Sequence, residues 1–146
     1  MRFELANNSK KVNLAREQLE DAIDLLVKGR YISCLTLAGA AEEIFTALAH
    51  AKTGRNPFNS IHELINYDLA AAGYQQVSRG EFRKVRNRAR NLVKHHDIGD
   101  AEYVNINKRG QALAMLGQAM ISADIIEVKY RNKRKYKTWL KLHENT

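Results

Sequence analysis

Residues 31–54 read "YISCLTLAGAAEEIFTALAHAKTG", and their spacing decides the fold. Apolar residues recur every three or four positions, the period of an α-helix. At about 100° per residue, Leu37, Ala38, Ala41, Ile44, Phe45 and Leu48 share one face. Gly54 follows the last periodic position, where a left-handed residue ends a helix well. Gly39, Ala40 and Ala41 carry almost no side chain, so a neighbouring helix can come close there. Glu43 points away from the apolar face and is expected in solvent. Glu42 sits on its edge, where it could meet a cation from another helix.

Working outward, the same period predicts a first helix from about Ser9 to Lys28, stopped by Gly29, with Val12, Ala15, Leu19, Ala22, Ile23 and Leu26 inward. "GRNPFN" (54–59) reads as a loop. "SIHE" (60–63) has the form of a capping box opening a short helix that ends near Gly73. "SRGE" (78–81) is a second such box, opening another helix. "HDIGDAEYVNIN" (96–107) breaks the period, with an extended piece expected at Tyr103 to Ile106. A long helix starts near Asn107 and runs through "QALAMLGQAMISADIIEVKY", and the tail "RNKRKYKTWLKLHENT" could continue it. Four main helices with short connections predict an all-α, up-and-down four-helix bundle with a short extra helix. One domain spans 1–146, with a basic tail from about residue 129.

The chain has 146 residues, 45% hydrophobic and 27% charged, the composition of an ordinary globular domain. Cys34 is its one cysteine, so no intrachain disulfide forms and a reducing, cytoplasmic setting is expected. No cysteine or histidine spacing suggests a metal site, and no cofactor is expected. No apolar run is read as approaching the roughly 18 residues of a membrane span. The N-terminal "MRFELANNSKK" lacks a signal peptide's apolar stretch.

The net charge of +8 is uneven. Residues 1–78 hold 8 basic and 9 acidic side chains, a net of −1, and residues 79–146 hold 16 and 7, a net of +9. A neutral half joined to a basic half suggests a polyanion met on one side, although a basic half can also be merely a soluble surface.

The basic half contains "RARNLVKHHD" (88–97). On a wheel with Arg90 at 0°, Phe82, Val85, Ala89, Leu92 and Val93 cluster at roughly 200–300°, the expected core face. Arg83, Lys84, Asn87, Arg88, Arg90, Asn91, Lys94 and His95 spread over roughly 0–160°, an expected cationic face. His96 falls in the middle of the apolar face if the helix lasts that long. His95 is therefore the candidate for chemistry, since an imidazole with an ordinary pKa of about 6.5 moves protons at neutral pH. Arg90 and His95 lie about 140° and roughly 7.5 Å of rise apart, so one helix does not close a compact site. A second copy placed antiparallel would bring one protomer's arginine toward the other's histidine.

"RNLVKH", Arg90 to His95, resembles the signature of HEPN domains: an arginine, often a polar residue, then three residues and a histidine. The segment "GRYISCLTLAGAAEEIF" (29–45) is similar to the second helix of small bacterial members. The resemblance covers about residues 10–130 and implies a metal-independent ribonuclease acting at a homodimer cleft, with the RNA's own 2′-hydroxyl as nucleophile. It gives Arg90 the scissile phosphate, His95 the general base or acid, and Asn91 the orientation of His95 or the ribose. His96 and Glu42 are supporting candidates. Arg83, Lys84, Arg86, Asn87, Arg88 and Lys94 would contact RNA. In the tail, Lys133, Arg134 and Lys135 would extend the path, with Tyr130, Tyr136 and Trp139 either stacking on bases or packing on the bundle. Trp139 and Tyr31 are expected to pack.

The resemblance further implies a neutralising partner protein of toxin or defence type. The alternative is a non-catalytic HEPN-like module that binds RNA, a nucleotide or a protein. A DNA-binding role ranks last, because no recognition-helix signature is evident.

Overall fold

A computed structural model describes residues 8–144, and among these six helices form: α1 (Lys11–Val27), α2 (Tyr31–Thr53), α3 (Pro57–Ala71), α4 (Arg79–Lys94), α5 (Lys108–Ile125) and α6 (Lys133–Leu142). The described residues form an all-α bundle without strands, and 103–106 belong to no regular element. Short polar caps set several boundaries. Gly54 adopts φ 74° and its N–H closes the end of α2 on His50 O. Ser78 Oγ accepts from Glu81 N to open α4, and Asn107 Oδ1 accepts from Gly110 N to open α5.

α2 is the central helix. It packs along α1 and α5 and also touches α3 and α4. Leu19, Ile23 and Leu26 of α1 share one apolar cluster with Leu35, Ala38 and Phe45 of α2 and with Met115, Leu116 and Ala119 of α5. Because α2 has neighbours on several sides, its buried set is wider than one stripe: Cys34, Leu35 and Ala49 are buried, whereas Leu37, Ile44 and Leu48 are half-buried. By length and composition α2 passes as a candidate membrane span, contrary to the sequence expectation, yet 44% of its most apolar window is buried inside the bundle. A second, smaller cluster joins Phe58 and Ile61 of α3 to Phe82 of α4. Beside it, Asn66 of α3 donates to Val77 O (2.9 Å) and accepts from Val77 N (2.8 Å), fastening the α3–α4 connection.

Two boundaries differ from the sequence reading. α3 begins at Pro57 rather than Ser60, because Asn56 Oδ1 accepts from Phe58 N and proline suits a first helical position. The tail does not continue α5. Glu127 (φ 57°) and Asn132 (φ 73°) turn left-handed and break the helix. The break is held by a polar stripe on α1. Glu20 Oε2 accepts from Arg131 N at 2.7 Å, Asp24 Oδ1 accepts from Asn132 Nδ2 at 2.9 Å, and Arg16 Nε donates to Lys129 O at 2.9 Å. α6 consequently lies on α1 with Trp139 buried, as expected, and Tyr31, Tyr130 and Tyr136 pack against the same core.

Candidate functional site

α4 carries the motif, and its inward face is Phe82, Arg86, Ala89, Arg90 and Val93. The wheel reading is therefore off by about 60°. Val85, expected in the core, is 63% exposed. Arg90, expected on the cationic face, is buried with its side chain 7% exposed. The cause is the surface that α4 meets. α2 presents two carboxylates there, and buried guanidinium groups are tolerable when each finds an anion.

Arg86 Nη1 donates to Glu42 Oε1 at 3.0 Å, with Glu42 1% exposed. Arg90 Nη2 pairs with Glu43 Oε1. Glu42 thus meets a cation of the basic helix, and Glu43 is not simply solvated. Around Glu42, Thr46 Oγ1 donates to the carboxylate at 2.9 Å and lies 3.0 Å from Ser122 Oγ, linking the pair to α5. Glu42 Oε2 and Arg86 Nε stay buried without a hydrogen-bond partner.

Gly39 makes the second pairing sterically possible. A Cβ at this position would lie 2.8 Å from Arg90 Nε and 3.3 Å from its Cδ and Cζ. The small stretch of α2 therefore admits a guanidinium where a helix backbone was expected.

The histidines sit elsewhere. α4 ends at Lys94, and His95 is its C-cap in extended backbone (φ −126°, ψ 141°). His96 lies beyond the helix and is exposed, so it does not pack on the apolar face. A turn follows immediately, in which Asp100 Oδ2 accepts from Asp97 N at 2.8 Å and Gly99 takes φ 95°. This turn folds back toward α4 and leaves crevices on both sides of His95. One, of about 460 Å³, is lined by Arg88, Asn91, Leu92, His95, Asp97 and Asp100. The other, of about 430 Å³, is lined by Lys94, His95, His96, Asp100 and Glu102 among others.

The sequence-derived set thus divides. Arg88, Asn91, Lys94, His95 and His96 come together at the end of α4. Arg90 and Arg86 are turned inward to α2. Arg83 lies nearer the start of α4, its guanidinium 4.7 Å from the Phe58 ring centre. Lys84 is exposed and Asn87 half-buried. In the tail, Lys133 pairs with Asp124 (3.4 Å) and Lys135 with Asp24 (3.0 Å), while Arg134 lines an apolar groove beside Trp139.

Sequence reasoning missed Phe58 as a platform for two arginines, the second being Arg86 at 4.9 Å. It also missed the Glu43–Arg90 pair. A signal existed: Glu42 and Glu43 are the only charges in residues 31–49, and Arg86 and Arg90 stand one helical turn apart.

Cys34 is buried and its thiol is pushed up to about 12 by that burial, which leaves it protonated and a poor nucleophile. Among the described residues no group of three or more His, Cys, Asp or Glu is placed to hold a metal ion. No protein-family model, curated protein or solved structure matches the chain.

Proposed function

We propose that this chain is a HEPN-like RNA-binding protein that cleaves RNA without a metal, acting as a homodimer. The observation that carries the reading is the grouping of two exposed imidazoles, His95 and His96, with Arg88, Asn91 and Lys94 around open crevices at the end of α4. In this reading His95 takes the proton of the ribose 2′-hydroxyl. The 2′-oxygen bonds to phosphorus, and the bond from phosphorus to the 5′-oxygen breaks. A second imidazole, His96 or the partner's His95, protonates the departing oxygen. The products are a 2′,3′-cyclic phosphate and a 5′-hydroxyl end. Arg88 and Lys94 neutralise the phosphate, and Asn91 is placed to orient the ribose or His95. Arg90 holds α4 on α2 rather than touching substrate.

Ile98, Tyr103 and Val104, all exposed in the segment after α4, supply apolar surface for a second copy beside the crevices. A neutralising partner and a cytoplasmic setting belong to the same proposal and rest on the resemblance and the cysteine usage.

A second reading is a non-catalytic RNA-binding module. It is favoured by the engagement of Arg90 with Glu43, which gives the motif arginine a structural task. An RNA pool incubated in EDTA separates the two. Cutting that drops by at least about a hundredfold in His95→Ala supports the enzyme. Binding without cutting leaves the module, and absence of RNA binding overturns both.

A further inference from the structure

At the other end of α4, a basin of about 590 Å³ opens between the end of α2 and the starts of α3 and α4. Arg55, Arg79 and Arg83 line it with His50, and Glu63 is the one carboxylate among the described residues on its wall. Arg86, Arg90 and Arg131 each pair with a carboxylate. Among the described residues, none of the basin's three arginines has a carboxylate within ion-pair distance.

Two of the three are nonetheless held in place by neutral groups. Arg79 Nη1 donates to Asn59 Oδ1 at 3.4 Å. Arg83 lies over Phe58, which is itself stacked on Phe82 at 5.2 Å. Three exposed guanidinium groups thus line one basin with no carboxylate paired to them among the described residues, which favours an anion there. Two helix ends of opposite sign face the basin, the start of α3 and the end of α2. The positive end of the α3 dipole faces this region. At the end of α2, Ala49 O accepts from Thr53 Oγ1 (2.7 Å) and His50 O accepts from Gly54 N (2.9 Å), so those carbonyls are already engaged.

We infer that this basin binds a terminal phosphate or pyrophosphate group, through forked contacts from Arg79 and Arg83 with Arg55 at the rim. Two sources share that chemistry: the 5′-phosphorylated end of an RNA, and a free pyrophosphate-type anion. The inference does not rest on cleavage at His95.

Calorimetric titration with inorganic pyrophosphate at low salt tests it. Wild-type protein gives saturable one-site binding, which Arg79→Gln and Arg83→Gln each weaken about tenfold. His95→Ala leaves it unchanged, so failure of the cleavage reading and failure of this one are separable. Circular dichroism verifies folding. Should the arginine variants misfold, Glu63→Gln serves instead, since loss of the wall's carboxylate tightens binding roughly two- to fivefold. A 5′-phosphorylated oligoribonucleotide that displaces pyrophosphate where its 5′-hydroxyl twin does not supports the RNA end, and failure of both to displace supports the free anion. Equal displacement by both overturns the terminal-phosphate assignment. Absence of saturable binding, or binding indifferent to all three variants, overturns the site.

Discussion

α1 and α4 both lie on α2, but they are attached by different physics. The α1–α2 contact is a continuous apolar cluster around Leu19, Ile23, Leu35 and Phe45. The α4–α2 contact holds Ala89 and two guanidinium–carboxylate pairs. Apolar burial is non-directional and tolerates small shifts, whereas a buried ion pair stabilises only when both partners are present and well placed. The bundle therefore has one face built to be robust and one built to be particular.

The largest effect expected is in the apolar contact. Phe45→Ala should cost about 3–5 kcal/mol in urea unfolding, the usual range for emptying a buried aromatic site. Next comes the enclosed pair. Glu42→Ala strands the Arg86 cation and should cost about 3 kcal/mol, while Glu42→Leu combined with Arg86→Met should recover most of that. If the double variant is no better than the single one, the α4 contact is not governed by the pair and the comparison fails. A smaller loss, about 1 kcal/mol and reduced further by salt, is expected for Glu43→Ala, because Glu43 is 64% exposed. Hydrogen exchange should then quicken in α4 and not in α1.

Alkali sharpens the comparison from the apolar side. Burial raises the Cys34 thiol to about 12 from an ordinary 9.0. Burial, followed by the charge of Asp124, raises the Tyr130 phenol, and burial also raises Tyr136. The folded chain keeps these groups neutral where the unfolded chain ionises. Their contribution is therefore complete below about pH 9 and lost as pH climbs toward about 12. The urea midpoint should fall over that window, and less steeply in Cys34→Ala. The smallest change is Tyr130→Phe, which removes a buried hydroxyl that lacks a partner and should leave stability within about 1 kcal/mol of wild type.

What the sequence disclosed follows the same division. Where burial is apolar, the period of Ala15, Leu19, Ala22, Ile23 and Leu26 identified the inward face of α1 directly. Where burial is ionic, the same method placed Arg90 outside, because a wheel sorts residues by hydropathy and has no account of the anion waiting on α2. Glu42 was legible as an edge residue near a cation, and its partner Arg86 was not, since choosing it requires the rotation of α4. His95 was singled out by the wheel and by the RNLVKH motif, and His96 was assigned inward by the same wheel. Their exposure follows from a helix that ends at Lys94, two residues short of His96, which the wheel would have buried. The break before α6 was hidden because its fastening is tertiary: Glu20 and Asp24 stand more than a hundred residues away from Arg131 and Asn132, which they hold.

The gap in α2 at Gly39 has a consequence that reaches past this molecule. A hollow on one helix and a long flat cation on another are complementary halves of one fitting. A descendant that fills the hollow must shorten or redirect what stands at 90, and one that loses the cation is free to fill the hollow. Positions 39 and 90 are thus expected to drift as a couple when lineages diverge, independently of whatever the histidines do.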